Sequence, residues 1–253
     1  MILDRFRLTG KNALVTGSSR GLGAAIARAL AEAGANVALH GSQAVPQSVV
    51  ESIATTGVKS LSLIADLRTP DLCARLIRQA IEGLGSIDIL VNNAGMIRRA
   101  PAVDFSEEDW DEVIATNLTS AFRLSQHAGR SMLAQGSGKI INIASLLSFQ
   151  GGITVPSYAA AKGGIAQLTK ALSNEWAARG VQVNAIAPGY METDNTAALR
   201  NDPPRYRQIL ERIPAGRWGA PEDIAGAAVF LASPASNYIN GHILAIDGGW
   251  LGR

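Results

Sequence analysis

Short apolar runs alternate with longer amphipathic stretches along the whole chain. "NALVT" (12–16), "NVALH" (36–40), "VKSLSLIAD" (58–66), "IDILVNN" (87–93), "GKIINIAS" (138–145), "VQVNAIAP" (181–188) and "HILAID" (242–247) read as strands. These runs are near-continuous rather than alternating, the pattern of strands buried on both faces of a parallel sheet. Between them, apolar positions recur at helical spacing over 21–34, 45–57, 70–85, 106–136, 156–180 and 221–233. Gly34 closes the first helix, Pro70 opens the third, and Ser106 caps the fourth with acidic residues in its first turn. Strict strand–helix alternation predicts an α/β fold, a doubly wound parallel sheet with right-handed crossovers. No linker, repeat or low-complexity segment divides the chain, so residues 1–253 are expected to form a single domain. Residues 189–220, rich in Pro, Gly, Arg and Asp, lie between a strand and a helix. An insertion of that length is expected to act as a lid.

Composition narrows the class. Apolar residues are 47%, charged residues 17%, aromatics 5%, and the net charge is +2, which argues against a nucleic-acid binder. Cys73 is the only cysteine, so no intrachain disulfide forms and a reducing compartment is expected. "MILDRFRLTG" lacks a signal-type apolar run, and no window approaches the roughly 20 apolar residues of a membrane span. The expectation is a cytoplasmic protein without a membrane or nucleic-acid partner. His40, His127 and His242 match no metal spacing, and no metal is expected. His127 reads as helix surface and His242 as a strand start. Trp110, Trp176, Trp218 and Trp250 read as packing residues, with a lid position open to Trp218.

Candidate chemistry begins at "VTGSSRGLG" (15–23), between the first strand and the first helix. Gly17, Gly21 and Gly23 free this turn of Cβ atoms, so a pyrophosphate can approach backbone N–H groups at the helix N-terminus. The spacing G-x-x-x-G-x-G departs from G-x-G-x-x-G, and it is the strand-to-helix position that points to a dinucleotide. The second strand ends in "HGSQ" (40–43), with neither the acid that would hold ribose hydroxyls nor an arginine for a 2′-phosphate. Asp66 is expected to meet the adenine amino group, or else to cap a strand end in solvent. Arg20 leans towards NADP. On these residues the choice between NAD and NADP stays open.

"SYAAAKGG" (157–164) places Tyr158 and Lys162 at i and i+4 on one helix face among small residues, which are expected to clear space for cofactor and substrate. A free tyrosine has a pKa of about 10 and is a poor base at neutral pH, but a nearby cation lowers it. Tyr158 is then a candidate acid/base, with Lys162 as the cation. Ser145 ends the fifth strand, where binding crevices of such sheets lie, and is a candidate for bonding the substrate oxygen. Asn117 stands mid-helix, against its propensity, and is expected to kink the helix and hold a water near Lys162.

"TGSSRGLG", "NNAG" (92–95), Asn117, Ser145, "YAAAK" (158–162) and "PG" (188–189) together resemble the short-chain dehydrogenase/reductase family over the whole chain. The resemblance implies a seven-stranded Rossmann sheet, a nicotinamide cofactor (NAD, with NADP open) and a catalytic set of Asn117, Ser145, Tyr158 and Lys162. In it, Tyr158 is the acid/base and Lys162 binds the nicotinamide ribose and lowers the tyrosine pKa. Ser145 orients substrate, and Asn117 completes a water-linked proton relay. The expected cofactor site comprises Gly17, Ser19, Arg20, Gly21, Leu22, Gly23, Ser42, Asp66, Leu67, Asn93, Ala94, Gly95, Tyr158, Lys162, Pro188 and Gly189. A homotetramer is implied, with the helices at 106–136 and 156–180 in one interface and the C-terminal strand region in the other.

"SLIADLR" (62–68), "NNAGMIRRA" (92–100), "INIASLLSFQGGITVPSY" (141–158), "NAIAPGYMETDNTAALR" (184–200), "RIPAGRWG" (212–219) and "DGGWL" (247–251) resemble a branch of that family acting on deoxy sugar acids. A carboxylate suits a planar guanidinium, and one of Arg98, Arg99 and Arg217 is expected to bind it. Surface or intersubunit ion pairs are the alternative for each. Gln150 and Tyr190 are candidates for the sugar hydroxyls. The substrate contacts are thus Ser145, Tyr158, Arg98, Arg99, Gln150 and Tyr190. Rival readings are a gluconate 5-dehydrogenase, a 3-oxoacyl carrier-protein reductase and, in a different class, a non-catalytic dinucleotide-binding scaffold.

Overall fold

Seven short apolar segments pair in parallel to form one sheet. The computed structural model describes residues 1–253. Its strands are β1 (Asn12–Val15), β2 (Asn36–Gly41), β3 (Ser60–Ile64), β4 (Ile89–Asn92), β5 (Gly138–Ile143), β6 (Val181–Pro188) and β7 (Ile243–Ile246). Their order across the sheet is β3-β2-β1-β4-β5-β6-β7. Every residue of β1, β4 and β5 is buried, as the continuous apolar runs predict. The expected strand at 58–66 contracts to an edge strand whose serines alternate with Leu61 and Leu63, the pattern of one covered face.

The helices are α1 (Gly21–Glu32), α2 (Gln47–Ala54), α3 (Pro70–Leu84), α4 (Glu107–Ile114), α5 (Ser120–Gln135), α6 (Pro156–Trp176), α7 (Ala197–Arg200), α8 (Pro203–Arg212) and α9 (Ala225–Ala232). One apolar layer joins Ile26 and Leu30 of α1 to Leu231 of α9 over one sheet face. The other joins Leu76 and Ile77 of α3, Leu124 and Met132 of α5, and Leu172 and Trp176 of α6 over the opposite face. No helix is long and apolar enough to cross a membrane.

Two local outcomes bear on the site. The helix expected at 106–136 starts as read, with Ser106 Oγ accepting from Asp109 N at 3.1 Å, but a π turn at Ala115–Thr119 divides it. Asn117 lies in that turn. Residues 189–220 fold into short helices around a small core of Leu146, Ile209, Ile213, Trp218 and Trp250. Trp218 is buried there, stacked on Tyr206 with ring centroids 5.6 Å apart.

Candidate active site

The strand order reverses between β1 and β4, and the chain leaves a crevice at the carboxyl ends of the strands there. The crevice is a cleft of about 710 Å³ running from the glycine loop to Tyr158. Every residue named above for the cofactor lines it, as does Ser145. Gly17 has a φ of +62°, and a Cβ there would stand 2.8 Å from Ala94 Cα. A Cβ on Gly23 would stand 2.3 Å from Gly17 O. The loop is tied down by Asn93, whose Nδ2 donates to Thr16 O (2.9 Å) and Gly17 O (3.0 Å). Thr16 Oγ1 in turn accepts from Asn93 N and Ala94 N. No side chain caps α1, so its first-turn N–H groups stay open towards the cleft. A glycine cradle and an uncapped helix N-terminus are the features a pyrophosphate requires, and the residues present fit a dinucleotide.

At the other end of the cleft, α6 delivers Tyr158 and Lys162. Ser145 lines the same end of the cleft, and its Oγ accepts from Leu147 N at 3.2 Å. Burial pushes the Tyr158 pKa up, opposed by the Ser145 side chain and by the positive charge of Arg99. This differs from the lowering expected of the Lys162 charge. Lys162 is 4% exposed, and its ammonium stands 5.6 Å from the centre of the Tyr158 ring and donates to Ile143 O at 2.5 Å. Burial pushes its own pKa down to about 8. Asn117, 2% exposed, spends its side chain on Met96: Nδ2 donates to Met96 O and Oδ1 accepts from Met96 N, both at 2.8 Å. Nδ2 keeps a second N–H and Oδ1 a second lone pair beyond these two bonds.

The three candidate arginines separate. Arg98 pairs with Glu112 (2.8 Å) and Asp109 (3.0 Å), and Arg217 pairs with Asp223 (2.6 Å). Arg68 joins Glu112 to Asp66 and holds the Asp66 carboxyl below its usual range. Arg99 has no carboxylate partner, and its charge acts on Tyr158. Arg20 reaches across the cleft mouth to Asp194 at 3.0 Å. Gln150 accepts from Trp250 Nε1 at 3.3 Å, and Tyr190 packs between Trp218 and Trp250, so both form a wall beyond the cleft lining.

The small residues beside Tyr158 correct an expectation. Ala159, Ala160, Ala161, Gly163 and Gly164 do not line the cleft. A Cβ on Gly164 would meet Leu118 at 2.7 Å, so at that position smallness brings α6 against the π turn. Sequence reasoning also missed polar groups that place α6. Asn92 Nδ2 donates to Asn142 Oδ1 (2.8 Å), Asn142 Nδ2 to Thr169 Oγ1 (2.9 Å), and Thr169 Oγ1 to Ile165 O (2.8 Å). This buried chain, signalled only by polar residues inside apolar runs, locks the helix to the sheet. His40 was passed over as well. It is buried beneath the glycine loop, with Nδ1 accepting from Gly17 N at 3.0 Å.

A switch-point cleft with a glycine cradle at one end and a Ser–Tyr–Lys cluster at the other defines a dinucleotide-dependent oxidoreductase. The family model described as enoyl-(acyl carrier protein) reductase matches residues 17–251, and the chain belongs to the short-chain dehydrogenase/reductase family. It is an NAD(P)-dependent enzyme acting on CH–OH groups. Among its relatives, the 2-dehydro-3-deoxy-D-gluconate 5-dehydrogenase of Escherichia coli is 54% identical, with 100% of both chains covered. A solved structure from Agrobacterium tumefaciens, provisionally described as a 2-deoxy-D-gluconate 3-dehydrogenase with bound NADP, is 57% identical. It superposes with a TM-score of 0.93 over 98% of this chain and 99% of its own. A gluconate 5-dehydrogenase from Burkholderia cenocepacia, in complex with NADP and tartrate, is 41% identical with a TM-score of 0.96 over 100% of both chains.

Proposed function

We propose that this protein transfers hydride between a nicotinamide dinucleotide and a secondary hydroxyl or ketone of a deoxy sugar acid, 2-dehydro-3-deoxy-D-gluconate or 2-deoxy-D-gluconate. The observation that carries the reading is the Ser145–Tyr158–Lys162 end of the cleft; beside it Arg99, an exposed guanidinium outside the cleft lining and without a carboxylate partner, bears a positive charge that lowers the Tyr158 pKa. A sugar carboxylate would supply the missing partner and so place a carbon of the same molecule before the phenol. Full-length similarity to the Escherichia coli relative supports the substrate class.

In oxidation, Tyr158 takes the proton of the substrate hydroxyl while Ser145 holds the oxygen. A nicotinamide dinucleotide held by the glycine loop and Lys162 would supply the hydride acceptor in oxidation and the donor in reduction. As a cation Lys162 would favour the phenolate, and one of its three donors is already spent on Ile143 O. Asn117 acts on the cleft wall through Met96. Residues 189–220 serve as the lid, with Met191, Thr193 and Asp194 already at the cleft. β2 is followed by Ser42 and Gln43 rather than a carboxylate, and Arg20 lines the same cleft, so the cleft admits NADP as well as NAD.

The test is to follow reduced nicotinamide absorbance with 2-deoxy-D-gluconate and 2-dehydro-3-deoxy-D-gluconate, each with the appropriate redox form of NAD and of NADP. Turnover with at least one sugar acid is expected. Arg99→Ala should raise KM about 10- to 100-fold, the worth of a charged hydrogen bond, with a smaller effect on kcat. Arg98→Ala should leave KM nearly unchanged. Faster turnover of gluconate or of an acyl thioester, or an unaltered KM in Arg99→Ala, overturns the substrate assignment.

A homotetramer in the cytoplasm belongs to the same reading. Val103, Trp110 and Phe122, on and beside the α4–α5 face, are exposed apolar groups that such an assembly would cover. Sedimentation should give a species of four 26.5 kDa chains, and a monomer at micromolar concentration would overturn it.

A further inference from the structure

His40, 2% exposed, stands at the carboxyl end of β2, directly under the glycine loop. Both ring nitrogens are engaged. Nδ1 meets the backbone N–H of Gly17 at 3.0 Å, and Nε2 meets the carbonyl of Ala65 at 3.0 Å. A backbone N–H can only donate, so Nδ1 carries no proton. A carbonyl can only accept, so Nε2 carries one. The partners thus specify a single neutral tautomer. The main chain of the same residue doubles the attachment: His40 N donates to Ser18 Oγ at 2.8 Å, and Ser18 N donates to His40 O at 2.9 Å. Gly17 is held from this side by His40 and from the other by Asn93, which also holds Thr16.

We propose that His40 is a positioning residue for dinucleotide binding: its neutral imidazole takes the Gly17 N–H and so sets the glycine loop in the shape that presents the first turn of α1 to a pyrophosphate. The inference rests on the dinucleotide reading of the cleft and adds to it a proton dependence. A protonated imidazole would turn a second donor against the Gly17 N–H and release the loop. Burial already holds the His40 pKa below its usual value, so the neutral form prevails at pH 7 and is lost only in acid. The charged groups on neighbouring elements are mutually paired: Asp66 with Arg68 beyond Ala65, and Arg20 with Asp194 at the far end of the loop. The nearby Cys73 thiol is pushed up by burial and stays neutral.

Two measurements test this, one of them on the free protein. Long-range ¹⁵N–¹H NMR should find His40 as the Nε2–H tautomer near neutral pH; an Nδ1–H tautomer overturns the proposal. Calorimetry with ADP-ribose then reads the loop without turnover and without a 2′-phosphate, which itself titrates near pH 6. For the wild type, log Kd should rise as pH falls below the His40 titration, with a slope approaching one per pH unit, because binding then expels one proton. His40→Asn places an amide oxygen where Nδ1 stood, and should bind ADP-ribose at pH 8 within a few-fold of the wild type and lose the acid limb. His40→Phe leaves the Gly17 N–H unpaired and should weaken binding about tenfold. An acid limb retained in His40→Asn, or equal affinity in His40→Phe, sinks the role of His40 while leaving the dinucleotide site standing. Wild-type protein that fails to bind ADP-ribose at pH 8 overturns the dinucleotide reading itself.

Discussion

Tyr158→Phe should bind dinucleotide with wild-type affinity and lose about 10³-fold in kcat, within the usual range for removing a general acid/base. The substitution deletes one oxygen and leaves the ring in place. Its cost therefore reads proton transfer rather than folding. The wild-type profile should carry a matching sign. Burial raises the Tyr158 pKa in the protein alone, and Ser145 and Arg99 only oppose that shift. Oxidation needs the phenolate, so its kcat/KM should climb with pH above neutrality. Reduction needs the phenol and should decline at the alkaline end. The two directions should thus have mirror-image profiles, measured as kcat/KM between about pH 7 and about pH 10. Wild-type turnover in Tyr158→Phe, or an oxidation rate that is flat across this range, would remove Tyr158 from the proton step.

The second large effect is expected at Gly23. A methyl group there would meet Gly17 O at 2.3 Å and Asn93 Nδ2 at 2.4 Å. The first is backbone and the second already donates to Thr16 O and Gly17 O, so neither can yield cheaply. Gly23→Ala should weaken dinucleotide binding at least about 30-fold and lower Tm, since overpacking typically costs about 1–3 kcal/mol. Gly163→Ala is the matched comparison: it too lies in a helix, but its Cβ would meet nothing within 4 Å. That variant should bind normally and gain about 0.5–1 kcal/mol from helix propensity. Equal affinities of the two variants in fluorescence titration would refute the close-approach argument.

The sheet was legible because strands buried on both faces have few alternatives to continuous apolar runs. The limits of that signal appear at the edge strand β3, where Ser60 and Ser62 interrupt the run and the structured length falls to Ser60–Ile64. The cofactor cleft was legible because glycine positions and strand ends are local features. Pairing is not local. Nothing in "RR" distinguishes Arg98 from Arg99; the difference arises because α4 brings Asp109 and Glu112 to one of them. His40 was missed for the same reason, since its partners Gly17 and Ala65 come from two other strand ends. The alanines and glycines around Tyr158 carried a real message, close approach, whose partner at Gly164 turned out to be Leu118 of the neighbouring helix.

The π turn at Ala115–Thr119 also limits how this chain can change in length. Each helical residue advances about 100° around the axis. Val113 before the turn and Leu124, Ala128 and Met132 after it all face inward because the wide turn absorbs the rotation between them. Removing one residue from 115–119 would make the helix regular, but it would swing one half out of phase with the sheet. It would also draw Asn117 away from Met96. Insertions and deletions are therefore excluded from this segment more strictly than substitutions, and the distance in sequence from α4 to α5 is itself part of the site.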